Sequence, residues 1–220
     1  MIAVDLIQDD IPLLNLSDDI STAIIFFNKS KLDQIPVFNS SKFLGLIDKK
    51  VVINASPNSK IKALNYHIRK KEISSEKNLF DVLHFFIDGN LTILPVVEKD
   101  NKYLGCIHER SLLQKVCEIL RVENPLGTLQ IQVKTHNYSL AQIAQIVEAN
   151  GAKVLSSICL PNSSNSKMID ILININQEEL SGIIQTFERY EYKIIASFHK
   201  NIHKAGLNDR LESFIRYLNI

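Results

Sequence analysis

The chain has 220 residues, 45% of them hydrophobic and 22% charged, and 25 Lys and Arg against 24 Asp and Glu leave a net charge of +1. That describes an ordinary globular protein long enough for two compact domains. Balanced charge provides no global field for nucleic acid or an anionic membrane, and no apolar run approaches the ~20 residues of a spanning helix.

The start, Met1 to Asp10, lacks the basic residues and long apolar core of a signal peptide, so a cytoplasmic location is expected. Cys106, Cys117 and Cys159 stand in apolar company without Cys-x-x-Cys spacing and read as reduced, buried thiols. The short basic runs Lys49-Lys50 and Arg69-Lys70-Lys71 read as solvated strand ends or helix faces.

In chain order, a short first strand and the turn Asp9-Asp10-Ile11-Pro12 precede Ser17-Asp18-Asp19, which is expected to cap a helix. Its apolar positions Ile20, Ala23, Ile24 and Phe27 follow the i, i+3, i+4, i+7 stripe. The strand Ile35-Pro36-Val37-Phe38 comes next, with proline expected to open it, where a missing N–H does least damage. A polar turn, Asn39 to Lys42, returns the chain along Phe43 to Ile47, and a helix carrying Val51 and Val52 begins near Asp48. Residues 54–66 read as a connection.

Then the pattern recurs. Leu79, Val82, Leu83 and Phe86 each stand 59 positions after Ile20, Ala23, Ile24 and Phe27, and Pro95 stands 59 after Pro36. Gly105 follows Gly45 by 60, so one extra residue sits in the second turn, where insertions cost least. The second copy runs Ile93-Leu94-Pro95-Val96-Val97, a turn, and Leu104-Gly105-Cys106-Ile107. A helix with Leu112, Leu113, Val116, Ile119 and Leu120 closes it, and Asn124 to Gly127 is the boundary.

Beyond the boundary the periodicity changes. Leu129, Ile131 and Val133 alternate as a half-buried strand; Ser139 to Gln142 has capping-box spacing before a helix with Leu140, Ile143, Ala144 and Val147, stopped at Asn150-Gly151. Strands over 153–160 and 167–175 form a hairpin, Asn176 is expected to cap a helix with Leu180, Ile183, Ile184 and Phe187, and 192–198 is a last strand. A terminal helix is expected from Leu207, Leu211, Phe214, Ile215 and Leu218. The whole is an α/β (α+β) chain with segments 1–66, 67–124, 127–199 and 200–220.

The two N-terminal copies, with capped helix, hydrophobic-Pro-Val strand, Leu-Gly-hydrophobic strand and closing helix, resemble a pair of CBS domains, the Bateman module. The β-α-β-β-α-β order of 127–199 is similar to a ferredoxin-like ACT domain. A CBS pair followed by ACT resembles acetoin-utilisation regulatory proteins. The resemblance implies a non-enzymatic regulator, a homodimer, and clefts for adenosine-containing ligands such as AMP, ATP or S-adenosylmethionine. A ligand-free dimeric interaction or scaffold module is the alternative.

In such a cleft, backbone beside the Pro-Val strand reads the adenine edge. A Ser or Thr after the Leu-Gly strand meets phosphate, and an Asp three residues on accepts the ribose hydroxyls. The second copy, with Leu94, Pro95, Val96, His108 and Ser111, is the better candidate: His108 can donate to phosphate and Ser111 to ribose. His108 can equally be a plain helix-start residue.

In the first copy, with Pro36 and Val37, the same positions hold Asp48 and Val51. Asp48 repels phosphate, and Val51 lacks an acceptor worth about 1.5–3 kcal/mol, or one to two decades of affinity. The ACT-family turn that binds amino acids is here His136-Asn137-Tyr138-Ser139, where Ser139 stands in place of glycine and suits a helix cap instead.

No phosphate loop, dinucleotide turn or nucleophile elbow occurs, so no catalytic residue is assigned. His199 and His203 share the four-residue spacing of a helical metal pair, but they lack a third ligand and an intervening Glu, so no metal site is expected. His67 and His84 are isolated, and the latter, inside the second copy's first helix, reads as a boundary residue rather than a ligand.

Overall fold

The structure, a computed structural model, describes residues 1–8, 10–121, 126–162 and 165–199. The expected terminal helix and His203 lie outside them. Within them the chain forms two compact units that divide between Val116 and Cys117.

The first unit contains the repeat. Its first copy comprises β1 (Leu14–Asn15), α1 (Ile20–Ser30), β2 (Gln34–Asn39), β3 (Lys42–Asp48) and α2 (Lys49–Ile53). The second comprises β4 (Ile73–Ser74), α3 (Leu79–Gly89), β5 (Ile93–Val97), β6 (Tyr103–His108) and α4 (Glu109–Ile119), the last crossing the division. Each copy makes a three-stranded sheet, β1-β2-β3 and β4-β5-β6, with a parallel first pair and an antiparallel hairpin. Register repeats with sequence: Leu14 pairs with Val37, and Ile73 with Val96. Both hairpins also slip at the same place, after Val37 and after Val96.

The stripe residues Ile20, Ala23 and Phe27 are fully buried, as are Val82 and the strand residues Ile35, Val37, Ile93, Leu94 and Val96. One apolar core joins both copies. At the hairpin tips Phe38, Phe43 and Tyr103 stack mutually, with ring centroids 5.0–5.6 Å apart and an edge-to-face Phe38–Tyr103 pair.

Several local expectations need correction. Residues Ala3–Leu6 form a 3-10 turn rather than a strand, because Ala3 N–H donates to Lys77 and draws the segment onto the other copy. Neither proline opens its strand; Pro36 and Pro95 are third in theirs, and both strands are central. Pro36 has the parity of Phe38, whose carbonyl accepts from Leu16, so its missing N–H faces the parallel side ahead of Leu14, where no strand pairs.

Helix α1 begins at Asp19 without a side-chain cap. Asp19 instead pairs with Lys60 at 2.8 Å, and Asp18 accepts from Asn15 N–H at 2.7 Å. In α3, by contrast, Asn78 accepts from Phe80 and Asp81 N–H at 2.8 and 3.1 Å, a true cap. Leu113 and Ile119 of α4 are exposed, so its apolar stripe is narrower than expected.

Residues 54–66 are more than a connection. Ile61 begins a 3-10 turn to His67 and is fully buried, and the following chain crosses onto the first copy. There Leu46 N–H donates to Arg69 O and Arg69 N–H to Leu46 O, each at 2.9 Å. In the same way the first copy's lead-in crosses to the second, Gln8 N–H donating to Cys106 O at 2.9 Å.

Glycine makes both crossings possible. A Cβ on Gly45, at φ 148°, would lie 2.4 Å from Arg69 O, and one on Gly105 would meet Ile7.

The second unit orders its strands β10-β7-β9-β8, all antiparallel: β7 (Gly127–Lys134), β8 (Val154–Pro161), β9 (Met168–Ile175) and β10 (Lys193–His199). Helices α5 (Leu140–Ala149) and α6 (Ser181–Arg189) bury Ile143, Ile146, Val147, Ile183 and Phe187 against Leu129, Ile131, Ile171 and Ile173. Leu140 is exposed rather than part of the stripe.

Ser139 caps α5 through Gln142 N–H at 3.2 Å, but Gln142 accepts from the Tyr192 hydroxyl, so no reciprocal box forms. Asn176 does not cap α6; its side chain takes the Lys153 N–H, tying β8 to the end of β9.

The Gly45 crossing can be tested by substitution. Gly45→Ala is expected to lower unfolding free energy by about 2–5 kcal/mol, combining backbone strain with a clash against an immobile carbonyl. Urea unfolding monitored by circular dichroism reads it, and a loss below about 1 kcal/mol would mean that segment 68–70 does not dock on β3.

Candidate functional site

The lead-ins to β2 and β5 meet inside the first unit. Gln34, 7% exposed, accepts through Oε1 from both Thr92 N–H and Thr92 Oγ1, each at 2.9 Å, and Asp33 N–H donates to Thr92 Oγ1 at 3.2 Å. Beside this seam opens a cavity of about 450 Å³, lined by Asp33, Gln34, Asp48, Lys49, Lys50, Arg69, Thr92 and Glu109 among others. Its floor is apolar at Phe86 and Leu91. The volume lies within the ~300–1,000 Å³ of small-molecule sites, and convergent donors and acceptors can fix a ligand's orientation.

Of the residues singled out from sequence, Asp48 lines this cavity, and it ends β3 in an ion pair with Arg69. Val51 is half-buried against the core. Leu94 and Val96 have fully buried side chains, and Pro36, Val37 and Pro95 are likewise buried within their central strands.

His108 ends β6, and its Nδ1 accepts from Arg110 N–H at 3.0 Å. That assigns the proton of the neutral ring to Nε2, the nitrogen left to donate outward. Ser111 lies on the first turn of α4 and is half-buried. Neither His108 nor Ser111 lines the cavity that contains Asp48.

Sequence reasoning missed Arg69 and the Gln34–Thr92 seam. Arg69 belongs to a basic run read as solvated, and only the crossing of the lead-in carries it to β3. The two lead-ins precede equivalent strands, but Ile7-Gln8 and Ile68-Arg69 share only the isoleucine, so the sequence carries little signal of the crossing.

In the second unit the four turn residues part company. His136 lines an open cavity of about 610 Å³ with Lys134, Thr135, Asn165, Ser166 and Lys167. Asn137 is exposed, Tyr138 packs on the core and Ser139 caps α5. A hydrogen bond with Cys159, followed by burial, holds the Tyr138 hydroxyl above its usual pKa.

The cysteines differ from expectation. Cys106 is buried, but Cys117 is half-exposed and Cys159 exposed, because Cys159 lies on β8 at the edge of its sheet. Burial pushes the Cys106 thiol up to about 12, opposed by its contact with the Tyr103 hydroxyl at 3.4 Å. His84 lies inside α3 as expected, but it is exposed, facing Asp88 at 3.1 Å, rather than at the edge of the buried face. Among the described residues no three His, Cys, Asp or Glu side chains gather as a metal site, and no helix is long and apolar enough to cross a membrane.

Residues 72–118 match the CBS domain family. Among solved structures, the chain is similar to a CBS domain pair/ACT domain protein from Thermotoga maritima, at 17% identity and a TM-score of 0.49, covering 55% of this chain and 99% of that one. It is also similar to the CBS domains of a transcriptional regulator from Streptococcus pneumoniae, at 17% identity and a TM-score of 0.46, covering 52% and 98%.

The matched segment is the second copy, and the first repeats its elements and register, so the first unit has the fold of a CBS-domain pair. The CBS domain family that residues 72–118 match is one of regulatory, ligand-sensing, non-catalytic modules.

Thiol chemistry tests the site's surroundings. Iodoacetamide at pH 8 is expected to modify Cys159 within minutes and to leave Cys106 unmodified until the protein unfolds, because the reactive thiolate is suppressed in a buried group titrating near 12. Peptide mass spectrometry reads the order; early labelling of Cys106 would show that β6 opens in the native state.

Proposed function

We propose that the CBS pair senses a small adenosine-containing ligand of the class of AMP, ATP or S-adenosylmethionine. The observation that supports this reading is the cavity beside the Gln34–Thr92 seam, where the chain enters both Pro-Val strands. Phe86 and Leu91 offer an apolar surface for a base, and the polar rim suits the hydroxyls of a ribose. In the second cleft, His108 Nε2 and the Ser111 hydroxyl are the groups for phosphate and ribose, while the backbone of Leu94, Pro95 and Val96 flanks the base.

The second unit is read as a ferredoxin-like ACT domain, supported by its β-α-β-β-α-β sequence and strand order. Its His136-to-Ser139 turn is a poorer ligand site, since Ser139 and Tyr138 already serve the cap and the core. The working form is a homodimer, in the manner of acetoin-utilisation regulatory proteins, with ligand state coupled to quaternary arrangement.

The scaffold reading has one observation in its favour: in the first copy, Asp48 is engaged by Arg69 and Val51 by the core.

A thermal-shift panel of adenosine, AMP, ATP, S-adenosylmethionine and free amino acids separates the two. A sensed ligand at one hundred times its Kd is expected to stabilise the protein by about 2.7 kcal/mol and raise Tm accordingly. A flat response to every adenosine compound at millimolar concentration would leave the scaffold. For a nucleotide that binds, His108→Ala is expected to weaken affinity about tenfold by calorimetry, and unchanged affinity would remove His108 from the site.

A further inference from the structure

The two copies present the same backbone construction with different charge. In the first, the lead-in segment bridges Leu46 to Arg69; in the second, the equivalent bridge joins Cys106 to Gln8. Glycines at matching positions, Gly45 at φ 148° and Gly105 at φ 157°, admit the two segments. Two residues beyond each bridge the strand ends, at Asp48 in one copy and His108 in the other. So the pair facing the first cleft is Arg69 with Asp48, and the pair at the equivalent place in the second copy is Gln8 with His108.

We propose that Asp48 is an internal counter-ion that closes the first cleft to phosphate-bearing ligands, by occupying the Arg69 guanidinium where a ligand anion would bind. This rests on the cavity's being a ligand cleft, and it names which ligands that cleft refuses.

The backbones that carry both partners are fixed before any ligand arrives. Arg69 is pinned by two backbone hydrogen bonds to Leu46, and Asp48 is held in register with Gln34 at the end of β3. The pair therefore forms without ordering a loose segment. A guanidinium matches carboxylate and phosphate through the same planar fork of donors, so one occupant excludes the other. What remains on the cavity wall is Lys49 and Lys50 against Asp33 and Glu109, with no net charge to draw an anion past Asp48. The second copy has no carboxylate at this position, and its His108 donates outward.

Calorimetric titration of the full chain with pyrophosphate tests the lock without depending on base recognition. Asp48→Asn, which keeps the side chain's shape and removes its charge, is expected to bind pyrophosphate at least about tenfold tighter than the parent, and Asp48→Asn with Arg69→Gln is expected to lose that gain. Arg69→Gln alone is expected to bind as the parent does, since Arg69 is already engaged. No gain in Asp48→Asn, a gain that survives loss of Arg69, or a tenfold loss in Arg69→Gln alone would each overturn the proposal.

Adenosine, which carries no anion, is expected to bind the parent and Asp48→Asn equally. Its failure to bind either would sink the nucleoside reading of the cavity, and the pyrophosphate result would still judge the ion pair.

Discussion

Each repeat in the first unit is incomplete without the lead-in of the other. The segment before the second copy lies along β3 of the first through the paired hydrogen bonds of Leu46 and Arg69, and the segment before the first copy lies along β6 of the second through Gln8 and Cys106. Glycine is required at both places because a side chain would stand inside the crossing chain. The reciprocal crossing makes one core out of two small sheets, neither of which could bury enough apolar surface alone. It also carries a charged residue from a linker to the end of a strand, where it meets the cleft.

The seam of Gln34 and Thr92 depends on this arrangement. A buried amide oxygen that accepts twice from one threonine leaves little freedom at the point where both central strands begin. At the far ends of the hairpins Phe38, Phe43 and Tyr103 pack as a second, apolar clamp. The repeats are therefore joined at both ends of their strands, and the cavity lies beside the polar joint.

The helices and hairpins of both units were legible because their signals are local. A stripe at i, i+3, i+4, i+7 needs only one buried face, and the 59-residue offset of Pro95 from Pro36 survives as matching strand register. What was not legible is non-local. Nothing in the periodicity of Arg69-Lys70-Lys71 says that one of the three will lie on β3, and nothing around Asn176 says that its side chain will serve Lys153 across the sheet instead of its own helix. The caps show the same limit: Asn78 caps α3 within its own first turn, whereas Asp19 at the equivalent end of α1 meets Lys60 from the segment that follows α2. The positions of the candidate ligand residues could be read, but their pairings could not.

Duplication usually produces two equal sites, and here the backbone supports that expectation while the side chains divide the labour. Where the first copy sets an Arg and an Asp against one another, the second sets a Gln and a His. An exposed ion pair is a weak source of stability, with Arg69 more than half exposed, so stabilising the fold gives little reason for Asp48 to stand at the end of β3. Its consequence is instead chemical. The pair takes a guanidinium that would otherwise face the cavity and makes it unavailable to an anion, so two copies of one fold present different chemistry at the same place.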